Sequence, residues 1–172
     1  DGCIPWAWIE DRLRRPRCVQ TWDDPADYHR HVISAYRRSI WCTQPDYFEV
    51  WLEKDALSGV FEDVLADYAV TLNVGRGYDG WYSIYEASQR LTFHRKRLGS
   101  RARIAILYFG DFDPSGEDMF RSLRSRLEFF GCRPEMTKCA LTASDIERYG
   151  LPPGLAKKDD SRTKAFIERH GD

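Results

Sequence analysis

From Tyr47 onward, short apolar runs alternate with longer stretches whose apolar residues recur every three to four positions, the pattern of strands and amphipathic helices in turn. Tyr47 to Leu52 predicts a strand ending near Glu53. A helix over 56–68 follows, with Leu57, Val60, Phe61, Val64 and Leu65 on its buried side. Residues 70–74 predict a second strand, closed by Gly75-Arg76-Gly77, and a helix runs from Trp81 to about Arg97 before Leu98-Gly99-Ser100 stops it. Ile104 to Phe109 is the most apolar run, as a central strand covered on both faces requires. The helix over 116–130 then carries Met119, Phe120, Leu123, Leu127 and Phe130 on one stripe, with Gly131 as its stop. A weaker strand lies near 136–141. Thr142 caps a short helix to Tyr149 with Asp145 three residues on, and Ser161 to Arg169 predicts a last charged helix after the turn at Leu151-Pro152-Pro153-Gly154. Strand-then-helix alternation predicts an α/β fold, Rossmann-like, with a mainly parallel sheet of about four strands flanked by helices.

The first part of the chain reads differently. Trp6, Trp8 and Trp22 are mixed with Arg12, Arg14, Arg15 and Arg17, and Asp23-Asp24-Pro25 introduces a helix through Ala26 to about Ile40. Residues 1–44 are therefore read as a lead-in segment, such as the trailing edge of an upstream domain would be, and 45–172 as the α/β domain. Asp1-Gly2-Cys3-Ile4-Pro5-Trp6 has neither an initiator Met nor a targeting pattern, so the sequence is expected to be a piece of a larger protein.

Composition narrows the function classes. The 172 residues are 42% hydrophobic and 31% charged, and no apolar run approaches the roughly 20 residues that span a bilayer, so no membrane partner is expected. Five cysteines without a CxxC argue against a disulfide framework or a zinc site and point to a reducing, cytoplasmic setting. A net charge of −1 excludes little, because the charge is unevenly spread. Residues 87–110 contain no acid but hold Arg90, Arg95, Lys96, Arg97, Arg101 and Arg103, whereas 53–67 is acid-rich.

The chemistry concentrates in Phe109-Gly110-Asp111-Phe112-Asp113-Pro114-Ser115-Gly116, two carboxylates at the carboxyl end of the predicted central strand, where open α/β sheets bind ligands. If the chain stays extended, Asp111 and Asp113 point the same way and can share one divalent cation, which would also relieve their mutual repulsion. The bland alternative is that Asp-Pro-Ser-Gly caps the next helix. Glu53 also ends a predicted strand, although an acid there can serve the dipole of the following helix. Glu49, further back, reads as an ordinary strand residue. Gly75 and Gly77 permit a tight turn that presents Arg76, without the spacing of a P-loop. Arg95-Lys96-Arg97 can hold a nucleic-acid backbone or form a solvated helix face.

A strand ending in Glu53, a Gly-rich turn after the next strand and a strand ending in Asp111-Phe112-Asp113 together resemble a Toprim domain, the metal-binding module of topoisomerases, bacterial primases, recombination-repair proteins and certain nucleases. Asp111-Phe112-Asp113-Pro114-Ser115-Gly116 is similar to the DxDPxG pattern of the A subunit of topoisomerase VI and its meiotic double-strand-break relatives. Val74-Gly75-Arg76-Gly77-Tyr78 resembles the Gly-rich segment that precedes it there. The resemblance covers about residues 47–141. It implies Mg²⁺, with Mn²⁺ able to substitute, held by Glu53, Asp111 and Asp113, with Glu53 also serving in proton transfer. It further implies a nucleoid-associated DNA-cleaving enzyme whose nucleophilic tyrosine lies on an upstream winged-helix domain, and a possible ATPase partner subunit. No such tyrosine domain is found in this chain, so the fragment alone is expected to be inactive. Lys54, Arg76, Arg95, Lys96 and Arg97 are the expected nucleic-acid contacts. A Toprim nuclease using metal-activated water and a non-catalytic nucleic-acid-binding module are the alternatives.

Overall fold

The computed structural model describes residues 18–75, 80–152 and 166. The chain divides into two compact units, Asp1–Arg38 and Ser39–Asp172. In the first, helix α1 spans Pro25–Ala35, with Asp24 accepting the backbone N–H of Asp27 at its N-terminus. It ends five residues before the expected Ile40, because Tyr36 adopts an extended backbone and no residue of the helix is buried to hold a further turn.

The second unit is α/β. Its strands are β1 (Tyr47–Leu52), β2 (Thr71–Val74), β3 (Ile104–Phe109) and β4 (Glu135–Ala140), and its helices are α2 (Ser58–Ala66), α3 (Trp81–Leu98), α4 (Pro114–Phe129) and α5 (Ala143–Tyr149). All neighbouring strands are parallel, in the order β2-β1-β3-β4, which is the expected four-stranded, Rossmann-like arrangement. β1 and β3 share the centre. Their inward residues Trp51, Ile104, Ile106 and Tyr108 pack with Ile84, Ala87 and Leu91 of α3 and Leu123 and Leu127 of α4. At about 1.5–3 kcal/mol for each fully buried large apolar side chain, this layer is the main source of cohesion for the sheet.

Three local readings need correction. The apolar stripe of α2 is not buried as expected: Ser58 is the buried residue, while Leu57, Val60 and Val64 are exposed. A tight turn at Asp55–Leu57 precedes α2 and resets the phase of the helix, so Phe61, packed edge-on against Phe109, is the aromatic that reaches the sheet. Glu49 is not an ordinary strand residue. It is completely buried, and its carboxylate accepts from Tyr47, Trp51, Asn73 and both Nε and Nη2 of Arg90. Finally, α4 begins at Pro114 rather than Gly116, because Asp113 caps it. The expected capping box of α5 is present, with Thr142 and Asp145 bonding reciprocally. The charged helix expected over 161–169 lies outside the described residues except for Phe166. Among the described residues no helix is long and apolar enough to cross a membrane, and Cys18, Cys42, Cys132 and Cys139 are free thiols.

Candidate metal centre

Parallel pairing brings the ends of β1 and β3 to one edge, and the chain holds them there beyond the strands themselves. The Glu53 N–H donates to the Phe109 carbonyl at 2.9 Å, and the Gly110 N–H donates to the Ala140 carbonyl at 2.7 Å. Glu53 and Asp111 thereby leave adjacent strands side by side. The Glu53 Oε2 atom accepts from the Asp111 backbone N–H and from the Tyr108 hydroxyl, both at 3.3 Å. Those are long bonds, so this half-buried carboxylate is only weakly compensated. Desolvation, and next the negative charge of Asp111, push its pKa above the ordinary value, with Asp113 adding in the same sense.

Asp111 and Asp113 do not continue as an extended strand. The chain bends at Phe112-Asp113, and the Asp113 Oδ1 atom accepts the Gly116 N–H at 2.7 Å, so the helix-capping alternative is realised. Capping engages that one oxygen, while Asp113 remains exposed. Its charge still reaches Glu53, and the edge therefore carries three mutually repelling carboxylates.

One cation answers that repulsion, and a second braces the backbone of the motif. Lys54, which directly follows Glu53, places its ammonium 2.6 Å from Asp111 Oδ2, and the pair is largely open to solvent. The Asp111 bond is the main reason that the Lys54 pKa rises, with Glu53 and Asp113 contributing. Lys138 on β4 is nearly buried; its ammonium donates to the Asp111 carbonyl at 2.7 Å and to Glu117 Oε1 at 2.5 Å. It also lies 5.6 Å from the centre of the Phe112 ring. Lys138 and Tyr108 were missed by sequence reasoning, since neither belongs to the acidic motif and only the register of β3 with β4 brings Lys138 beneath it.

Close approach of backbone and carboxylate explains two glycines of the motif. A Cβ at Gly110 would stand 2.3 Å from Glu53 Oε2, and one at Gly116 would stand 2.4 Å from the Asp111 carbonyl and 3.3 Å from Glu53 Oε2. Any side chain at either position fills the space around the carboxylates.

Such a cradle, with clustered oxygen donors and an ammonium already drawn to one of them, fits a hard divalent cation. Among the described residues no three acidic, His or Cys side chains converge tightly enough to enclose an ion. A cation held here would therefore keep water or phosphate oxygens in its shell, as Mg²⁺ commonly does.

The expected nucleic-acid contacts are divided by the fold. Lys54 is at the acidic edge. Arg76 lies outside the described residues. Arg95, Lys96 and Arg97 form the last turn of α3, which runs back to the opposite edge of the sheet, and the Arg95 guanidinium donates to the Ala102 carbonyl there. No protein-family model, curated protein or solved structure matches the chain, so motif and geometry carry the functional reading.

Proposed function

We propose that residues 45–172 form a Toprim-type, Mg²⁺-dependent catalytic domain, similar to that of the topoisomerase VI A subunit, acting on DNA phosphodiesters with a tyrosine from an upstream winged-helix domain. The observation that supports this best is the juxtaposition of Glu53, Asp111 and Lys54 at the carboxyl edge, with Asp113 capping the next helix within reach of their charge. Glu53, Asp111 and Asp113 would hold the cation, with Mn²⁺ able to substitute. When bound, such a cation neutralises a non-bridging phosphate oxygen and stabilises the oxygen that leaves.

The remaining chemistry belongs to the side chains. Glu53 sits where burial and neighbouring charge favour its protonated form, which suits a group that gives and takes a proton at the bridging oxygen. Lys54, whose ammonium stands 2.6 Å from Asp111 Oδ2, would supply positive charge for a phosphate beside that carboxylate. Lys138 holds the Asp111 carbonyl from below and so sets the direction of the motif.

Titration with Mg²⁺ or Mn²⁺, read by calorimetry, tests the site: binding should be weak without nucleic acid and should fade in Asp111→Asn and Asp113→Asn. Equal binding by wild type and the double variant would overturn it. Incubation with labelled supercoiled DNA and either metal then separates the enzymatic readings. No protein-linked label is expected from this chain alone. Metal-dependent nicking without linkage would replace the topoisomerase reading with the nuclease.

A further inference from the structure

At the opposite edge of the sheet, where β1 begins, a cleft of about 260 Å³ is lined by Trp41, Tyr47, Thr71, Arg90, His94 and Arg97. Between Tyr47 and Glu53 the strand advances about 20 Å, at about 3.3 Å per residue, so this cleft is separate from the acidic edge. Its wall is a pair of parallel rings: Tyr47 and His94 stack with centroids 3.6 Å apart and planes 7° from parallel. Burial, and then the nearby Arg97 charge, hold the His94 imidazole below its ordinary pKa, leaving a neutral ring at pH 7.

The two guanidinium groups in the cleft are not equivalent. Arg90 is neutralised by Glu49 beneath it, whereas Arg97 is exposed and has no ion-pair partner among the described residues. The acid in the lining, Asp46, accepts the Arg103 backbone N–H at 2.8 Å. A flat aromatic wall and one unmatched guanidinium at the rim are the features that recognise a base together with its phosphate. The volume lies below the roughly 300–1,000 Å³ of pockets that enclose drug-sized ligands, which favours a single nucleotide unit over a dinucleotide cofactor.

We propose that this cleft is a nucleotide-binding subsite, taking one base against the Tyr47–His94 stack and its phosphate on Arg97. It stands independently of the metal-centre reading. A free mononucleotide and a nucleotide within a strand offer the same chemistry, so both are probed: adenosine monophosphate and a short single-stranded oligodeoxyadenylate, each added to the chain without divalent metal.

NMR signals of the Trp41 indole and the His94 ring should move on binding, and Arg97→Glu and His94→Leu should each weaken affinity about tenfold. Asp111→Asn should leave it unchanged. Movement with the mononucleotide assigns a free ligand, and movement with the strand alone assigns a nucleic-acid contact; either supports the subsite. The proposal is overturned if neither probe moves these signals, if folded Arg97→Glu and His94→Leu bind as wild type does, or if Asp111→Asn abolishes binding.

Discussion

Glu49 lies within β1 and Glu53 directly follows its end, yet their surroundings differ in kind. Glu49 has no exposed surface and accepts five hydrogen bonds, two of them from the paired Arg90 guanidinium at 2.6 and 2.9 Å. Asn73 bridges the two, donating to Glu49 at 2.7 Å and accepting from Arg90 at 2.9 Å. The Tyr47 phenol is held by the same carboxylate, and burial followed by the Glu49 charge pushes its pKa up to about 12. Glu53 has two bonds of 3.3 Å and two acidic neighbours. A buried charge with every acceptor position satisfied rigidifies the joint between β1, β2 and α3. A half-buried charge left under-compensated is a group available to a cation or a proton. A structural acid and an under-compensated one thus stand four residues apart along the chain.

The largest expected effect lies in the structural cluster. Arg90→Ala leaves the fully buried Glu49 as an uncompensated charge and should cost about 3–5 kcal/mol in denaturant unfolding, whereas Glu53→Ala should cost far less. Comparable losses in the two variants would break the distinction.

Next comes Gly110→Ala. Its Cβ would collide with Glu53 Oε2, with the nearest approach at 2.3 Å, so the carboxylate must move or the strand end must shift. A loss of about 1–3 kcal/mol is expected together with loss of Mn²⁺ binding, read by unfolding and calorimetry on the same samples. A variant that binds Mn²⁺ normally would show that Glu53 does not need its present position.

Lys138→Met sharpens the comparison from the other side. Removing the ammonium frees the Asp111 carbonyl and Glu117 from their 2.7 and 2.5 Å bonds, at a cost of about 1.5–3 kcal/mol for hydrogen bonds to a charged group. Because the lysine touches the Asp111 backbone rather than a cation, metal affinity should weaken without vanishing. Unchanged stability and unchanged Mn²⁺ affinity together would remove Lys138 from the site.

Most of the fold was legible because it depends on local patterns. The apolar run Ile104 to Phe109, the Gly131 stop of α4 and the Thr142 cap each carry their own signal, and each element formed within a few residues of expectation. The α2 face was misread because periodicity gives the spacing of a stripe but not its phase, and the turn at Asp55–Leu57 rotated it. Placing Glu53 beside Asp111 required only that β1 and β3 be parallel neighbours. Glu49 was misread because its partners lie 24 and 41 residues away, on β2 and α3, and nothing in a strand sequence distinguishes a paired buried acid from an edge one. Asp113 was legible both ways, as a cap and as an acid; the cap engages one oxygen without removing its charge from the site.

The smallest effect is the most diagnostic of the under-compensated acid. In Glu53 burial and the charges of Asp111 and Asp113 raise the pKa in the folded chain above its ordinary value of 4.5. Between the unfolded and folded values the native state binds the extra proton, so stability must fall as pH rises through that window and stay at the lower level above it. Replacing the acid by Gln removes the ionisation while keeping the shape. Glu53→Gln should therefore abolish this pH-dependent loss and raise the neutral-pH Tm by a few degrees, while weakening Mn²⁺ binding. Thermal unfolding from pH 4 to 8, in chelator and in Mn²⁺, reads both. In chelator the variant should be the more stable protein at pH 7. In Mn²⁺ the order should narrow or reverse, because wild type gains binding energy that the amide cannot supply. A Gln variant less stable than wild type in chelator at neutral pH would place Glu53 with Glu49, as an acid that holds the fold together.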